Sequence, residues 1–179
     1  MEAELRELAG SVPDPELPVL TLAELGVLRD LRLRGPGRAE VELTPTYTGC
    51  PAVETMAADI RRVLGERGIP EVAVRTVLAP PWTTDAITPE GRRKLAEAGI
   101  APPRPGAAAH RTARRPVAAG REPGGQRAAE GPVPVELAVR CPRCGSTGTT
   151  LLSRFSSTAC TALRRCVTCG EPFDHMKEV

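Results

Sequence analysis

The apolar pattern of this chain predicts an α+β fold: a small mixed-sheet α/β domain followed by a cysteine-rich module of the zinc-ribbon type. Three observations carry that expectation. Apolar residues alternate in some stretches and recur at helical spacing in others, in the order helix, strand, strand, helix, strand, helix over the first hundred residues. Of the thirty residues 101–130, eighteen are Ala, Gly or Pro, too poor in apolar area to offset the entropy of ordering them. Two Cys-x-x-Cys-Gly knuckles then follow within the last forty residues. The predicted division is 1–100, a flexible linker over 101–135, and 136–179.

The first element is a short helix over residues 2–9, with Leu5, Leu8 and Ala9 on one side and Gly10 as its stop. Asp14-Pro15-Glu16-Leu17-Pro18 follows. Its two prolines force an extended or turned path from which two carboxylates project. Those carboxylates either shape the turn or face a metal. Thr21-Leu22-Ala23-Glu24 fits a capping box and opens a one-turn helix that ends at Gly26. Val27 to Arg34 reads as a strand with Leu31 and Leu33 facing in. Gly35-Pro36-Gly37 turns it into a second strand, Ala39 to Thr44. Val53, Met56, Ala57, Ile60, Val63 and Leu64 form one face of an amphipathic helix that stops near Gly68. Glu71 to Leu78 is the third strand, residues 79–85 a loop, and Thr88-Pro89 the start of a last helix ending around Gly99.

Between the second strand and its helix lies Thr46-Tyr47-Thr48-Gly49-Cys50-Pro51. Pro51 suits the first helical position, which makes Cys50 the expected N-cap. A thiol there faces free backbone N–H groups and the positive end of the helix dipole, which favour the thiolate that binds metal or attacks an electrophile. A small buried residue closing a turn is the plain alternative.

Composition excludes several classes. Tyr47, Trp82, Phe155 and Phe173 are the only aromatics, which argues against a base-stacking platform. Residues 1–100 carry 12 basic and 16 acidic side chains, whereas residues 101–179 carry 12 and 6. The basic second half suggests a nucleic-acid ribbon, but it lacks a basic recognition helix. The linker arginines are read as solvated, with phosphate contact the alternative. No stretch reads as a signal peptide or a bilayer span, so the cytosol is the expected compartment and clustered cysteines the expected metal ligands.

Cys141, Cys144, Cys166 and Cys169 match a tetrahedral Zn²⁺ site, and a module this small would draw most of its folding free energy from the ion. An iron–sulfur cluster also takes four thiolates. Cys160 is then either spare or an alternative ligand. Strands are expected at Thr149 to Phe155 and Thr161 to Arg165. A redox Cys-x-x-Cys pair would open a helix, and neither knuckle does. His175 is expected in solvent, His110 receives no role, and Trp82 either packs over the sheet edge or anchors a partner.

Asp14-Pro15-Glu16, Leu25-Gly26-Val27, Thr46 to Pro51 and Pro81-Trp82-Thr83-Thr84-Asp85 together resemble the small metal–sulfur cluster assembly domain of SufT and a cytosolic iron–sulfur targeting factor. With the Cys-Pro-Arg-Cys-Gly and Ser157-Thr158-Ala159-Cys160 tail, the chain resembles the PaaD (PaaJ) family of accessory subunits of the phenylacetyl-CoA epoxidase system. That resemblance implies a cytosolic protein of phenylacetate catabolism that helps mature or insert iron or iron–sulfur centres and has no turnover of its own. It implies a di-iron oxygenase and an iron–sulfur flavoprotein reductase as partners. It also implies that Cys50 is the functional thiol, a transient ligand of iron or an iron–sulfur unit, with Asp14 and Glu16 in support. A structural or regulatory protein that transfers nothing is the alternative.

Overall fold

The computed structural model describes residues 1–106 and 138–178. The linker expected over 101–135 lies, from residue 107 onward, outside the described residues. Helix α1 (Glu2–Gly10) packs Leu5 and Ala9 inward. The segment after it folds back on itself: Asp14 N–H donates to Leu20 O and Leu22 N–H to Val12 O, closing a tight loop around buried Leu17. Helix α2 (Leu22–Leu25) carries the expected capping box, with Thr21 and Glu24 each accepting from the other's backbone N–H.

The first sheet has three strands in the order β1-β2-β3: β1 (Leu28–Gly35), β2 (Arg38–Leu43) and β3 (Glu71–Thr76). Strands β1 and β2 form the antiparallel hairpin expected at the Gly-Pro-Gly turn, while β2 and β3 run parallel. A parallel pair needs a crossover, and α3 (Ala52–Glu66) supplies it. On β2 the alternation is plain: Ala39, Val41 and Leu43 are buried. Met56, Ala57, Ile60 and Leu64 of α3 are buried too, and Met56, Ile60 and Leu64 share one core with Leu20, Leu25, Val27 and Leu31. Burying an aliphatic side chain of this size contributes about 1.5–3 kcal/mol. Helix α4 (Pro89–Glu97) opens on Thr88, whose hydroxyl accepts from Gly91 N–H, and buries Leu95.

The C-terminal module adds β5 (Thr149–Ser153), β6 (Thr161–Cys166) and β7 (Pro172–Met176), a meander whose free edge is extended by β4 (Ile100–Ala101). Strand β4 runs parallel to β7, pairing Ile100 with Asp174 and Ala101 with His175. Residue 101, the expected start of the linker, is thus a strand position that ties the ribbon to the first domain. Met176 is buried in the first domain's core, and Arg104 pairs with Glu178 across the same seam.

Two local expectations are corrected and one open choice is decided. The N-cap of α3 is Pro51, not Cys50, because Cys50 and Pro51 close a preceding turn in which Cys50 N–H donates to Tyr47 O and Val53 N–H to Cys50 O. Of the two readings of Trp82, packing holds: it is buried and its indole N–H donates to Leu25 O at 2.9 Å, which leaves no exposed anchor. His175 is buried, because β7 pairs on one side with β4 and on the other with β6.

Candidate functional site

Two sulfur sites emerge, one from a turn and one from two knuckles. The turn begins where β2 ends. Thr44 is fully buried: its N–H donates to Val27 O and its hydroxyl accepts from Arg29 Nε at 3.0 Å. Arg29 also donates to the carbonyls of Pro80 and Pro81, fixing the loop that carries Trp82. The Tyr47 hydroxyl, three residues before Cys50, and the backbone N–H of Ala52 are close enough to the Cys50 sulfur to favour its thiolate form.

The loop after α1 supplies the acidic side of the site. The Asp14 carboxylate accepts from the N–H groups of Glu16 at 2.9 Å and Leu17 at 2.7 Å, so its work is to build the turn. Burial nevertheless pushes the Asp14 carboxyl above its usual range, against those two hydrogen bonds. The turn aims Glu16 at the thiol: a Glu16 carboxylate oxygen lies 3.8 Å from Cys50 Sγ. Glu16 is itself raised, by burial and by the charge of Asp14.

The expectation of a thiolate primed by the helix is corrected by these neighbours. Burial raises the Cys50 thiol above its ordinary value, the Ala52 N–H and the Tyr47 hydroxyl pull it down, and the charges of Glu16 and Asp14 push it up again. The net direction is upward, so the resting group is a protonated thiol. Tyr47 is pushed up to about 12, by burial first and then by the charges of Cys50 and Glu16. Residue spacing placed Cys50 at the turn. Spacing did not pair it with Glu16, 34 residues away; the family resemblance named Glu16 in support, and the structure sets the two side chains 3.8 Å apart.

At the ribbon, the sulfurs of Cys141, Cys144, Cys166 and Cys169 all lie within 4.8 Å of one another. Cys144 and Cys166 approach to 3.5 Å, and Cys141 and Cys169 to 3.8 Å. A tetrahedral ion with metal–sulfur bonds of about 2.3 Å sets its sulfurs about 3.8 Å apart, so the quartet fits a single Zn²⁺. Each knuckle is closed by a glycine N–H, Gly145 to Cys141 O and Gly170 to Cys166 O. Cys160 is not among the four. It packs against the first domain's core instead.

Comparison with known proteins follows the same division. Residues 2–79 match the family model described as iron-sulfur cluster assembly protein, and residues 126–177 match the PaaD zinc beta ribbon domain. An Escherichia coli (strain K12) protein, provisionally named as one of the subunits of a 1,2-phenylacetyl-CoA epoxidase, is 42% identical over 174 residues, covering 97% of this chain and 91% of that one. The chain belongs to the PaaD family. Its first domain is also 34% identical over 80 residues to the Fe-S protein maturation auxiliary factor SufT of Staphylococcus aureus (strain USA300), covering 43% of this chain and 88% of that protein. A crystal structure from Bacillus anthracis, titled domain of unknown function DUF59, superposes with a TM-score of 0.49 at 27% identity, covering 52% of this chain and 90% of that one. One family match thus covers the turn that carries Cys50 and the other covers the four-cysteine ribbon. Among the described residues no helix is long and apolar enough to cross a membrane.

Proposed function

We propose that this chain is a non-catalytic accessory component of a phenylacetyl-CoA 1,2-epoxidase system, and that it helps assemble or insert the iron or iron–sulfur centres of its partners. The partners are the di-iron oxygenase and the iron–sulfur flavoprotein reductase. The observation that carries this reading is the separation of two sulfur chemistries: a closed four-thiol cluster, and a single thiol at a turn with a carboxylate 3.8 Å away. The closed cluster suits a structural ion, and the single thiol suits a ligand held and let go.

Cys141, Cys144, Cys166 and Cys169 would hold Zn²⁺, which ties the knuckles together and supplies folding free energy. A multi-iron cluster places its thiolates on different metals, farther apart than this quartet stands, which supports zinc over iron–sulfur there. At the turn, Cys50 is the transient ligand. On contact with iron-bearing cargo its thiol proton passes to the Glu16 carboxylate, and the sulfur bonds the metal as a thiolate. The Tyr47 hydroxyl and Ala52 N–H steady the thiolate meanwhile. When the cargo moves to the partner, Glu16 returns the proton and the buried neutral thiol is restored. The tendency of the site to re-protonate favours release over storage.

Cys50→Ser tests this directly. The variant should fold and bind zinc as the parent does, while the co-produced oxygenase and reductase contain less iron and epoxidise less substrate. Full partner iron and full epoxidation with Cys50→Ser would end the proposal. The second reading, a structural or regulatory protein that transfers nothing, draws support from the deep burial of Cys50, 8% exposed. In that case the ribbon cysteines alone are essential.

A further inference from the structure

Neither sulfur site uses the open side of the first sheet. In the order β1-β2-β3, strand β3 is an edge, and among the described residues nothing pairs with its outer side. Two bonds fix which backbone groups point there. Glu71 N–H donates to Gly37 O and Val77 N–H to Leu43 O, so the odd-numbered residues of this stretch face β2. The N–H and C=O groups of Val72, Val74 and Thr76 therefore face outward. Val72 O meets Arg61 Nε at 3.4 Å, while Val74 keeps both groups unpaired among the described residues. A row of unpaired edge groups is a template for another strand. The side chains alternate as well: Val72 and Val74 pack toward the first core, and Glu71, Ala73 and Arg75 are exposed on the other face. Glu71-Val72-Ala73-Val74-Arg75 is symmetric about Ala73 in shape and opposite in charge at its two ends. Turned end for end, this edge is complementary to itself.

We propose that β3 is the contact edge of a homodimer, in which two copies of this chain pair their β3 strands antiparallel about Ala73 and join two three-stranded sheets into one. In that register Val72 lies opposite Val74 of the second copy. Both face outward, so each such pair exchanges N–H···O bonds in both directions. Glu71 lies opposite Arg75 of the second copy in a non-hydrogen-bonded pair, where side chains approach most closely. Sliding one strand by two residues keeps the backbone bonds but sets Arg75 or Glu71 against Ala73, so charge selects the register. The row across the seam then alternates in sign. Arg38 is in register with Glu71, their side chains 2.7 Å apart, and Arg75 is in register with Glu42. The order is Arg38, Glu71, then Arg75 and Glu42 of the second copy. A contact that is its own complement under a two-fold axis fits a second copy rather than a foreign strand. Strands β2 and β3 run parallel, and the seam is antiparallel, so the two Cys50 turns, each beyond the end of β2, stand at opposite ends of the joined sheet. Each thiol remains open to a client of its own. The edge is short, so the pairing is weak and depends on concentration. It does not depend on what the thiol carries.

The test is sedimentation equilibrium of the zinc-loaded full chain from micromolar to near-millimolar concentration. The parent should pass from the mass of one 19.0 kDa chain toward twice that mass. Arg75→Glu sets a carboxylate against Glu71 of the second copy at both ends of the seam and should weaken association about tenfold or more. Val74→Pro removes an outward N–H that makes no bond to β2, so it should keep the parent's circular dichroism and zinc content yet stay a single chain. A third variant reads the register itself. In Ala73→Cys the two new thiols face each other across a pair whose Cα atoms stand about 4.5 Å apart, within the span of a disulfide. Oxidised glutathione should link the copies through residue 73, with the bridged peptide identified by mass. Glu71→Cys, whose counterpart is Arg75 rather than itself, should not link. A parent that stays a single chain at every concentration overturns the proposal. A parent that dimerises while Arg75→Glu and Val74→Pro associate as it does, or while Ala73→Cys forms no bridge, meets its copy through another surface, and the proposal falls equally.

Discussion

The carboxylate of Glu16 stands 3.8 Å from the sulfur of Cys50, held there by a turn that Asp14 ties with two backbone hydrogen bonds. A negative charge at that distance opposes a second one on the sulfur. In Glu16→Gln the charge is gone and the Cys50 thiol should titrate lower than in the parent. Tyr47→Phe removes a donor that favours the thiolate, so there the thiol should titrate higher still. The pH dependence of Cys50 alkylation, followed on its own peptide in a zinc-loaded Cys160→Ser background, reads both shifts. Opposite movements are expected, and a Glu16→Gln profile that coincides with the parent's would contradict the geometry.

His175 makes stability depend on pH. Burial, and then the nearby Arg164 guanidinium, lower it from 6.5 to about 4, with Arg104 adding to the effect and Glu178 opposing it. In the unfolded chain the imidazole takes up its proton near 6.5, in the folded chain only near 4. Between those values the unfolded state binds more protons. The stability contributed by the neutral imidazole is therefore complete above 6.5 and lost as pH falls toward 4, by at most about 3 kcal/mol. Urea midpoints at about pH 7 and about pH 4.5 should differ more in the parent than in His175→Gln, a comparison that cancels the titration of the carboxylates.

Gly26 ends α2 in the left-handed conformation, φ +73°, and a Cβ there would meet Ala86 O at 2.4 Å. Gly26→Ala should cost about 2–4 kcal/mol, since neither backbone can move away cheaply. Gly65, inside α3 with open space around it, is the internal contrast. Gly65→Ala should gain about 0.5–1 kcal/mol from helix propensity. Thermal melts of the two variants should shift in opposite directions.

Removing the ribbon ion should unfold the tail and leave the first domain standing. The second core is small, with Ala101, Cys141, Cys166 and Phe173 as its buried members, whereas the first domain has an extensive core of its own. Chelation, or Cys166→Ser, should abolish stoichiometric zinc and open residues 138–178 to protease. Most helical signal should persist, because all four α-helices among the described residues lie before residue 100. Coincident loss of helix and zinc would show instead that the seam of β4, Met176 and Glu178 makes the two modules one cooperative unit.

The elements were legible where the signal is local. Caps and turns declare themselves within four residues, so Thr21-x-x-Glu24, Thr88-Pro89 and Gly35-Pro36-Gly37 marked their helices and hairpin within a residue or so of the observed ends. The α3 start was misplaced by one because Tyr47 O captures the Cys50 N–H, a contact that propensity does not encode. His175 was misread because its burial comes from a strand distant in sequence, β4, and the packing of Trp82 was left beside an exposed alternative because its partner, Leu25, is 57 residues away.

The order of residues by itself determined the α+β class, the zinc-ribbon type of the tail, the pairing of four cysteines into two knuckles and the placing of a lone thiol at a strand-to-helix turn. Those features depend on spacing and on the chain's nearest neighbours, which a sequence states outright. Only the tertiary structure decided what surrounds that thiol: Glu16 from a loop 34 residues earlier, and the face of the ribbon that carries Cys160. Such contacts arise from packing two modules on one core, and the free energy of that packing is shared among residues no local pattern connects.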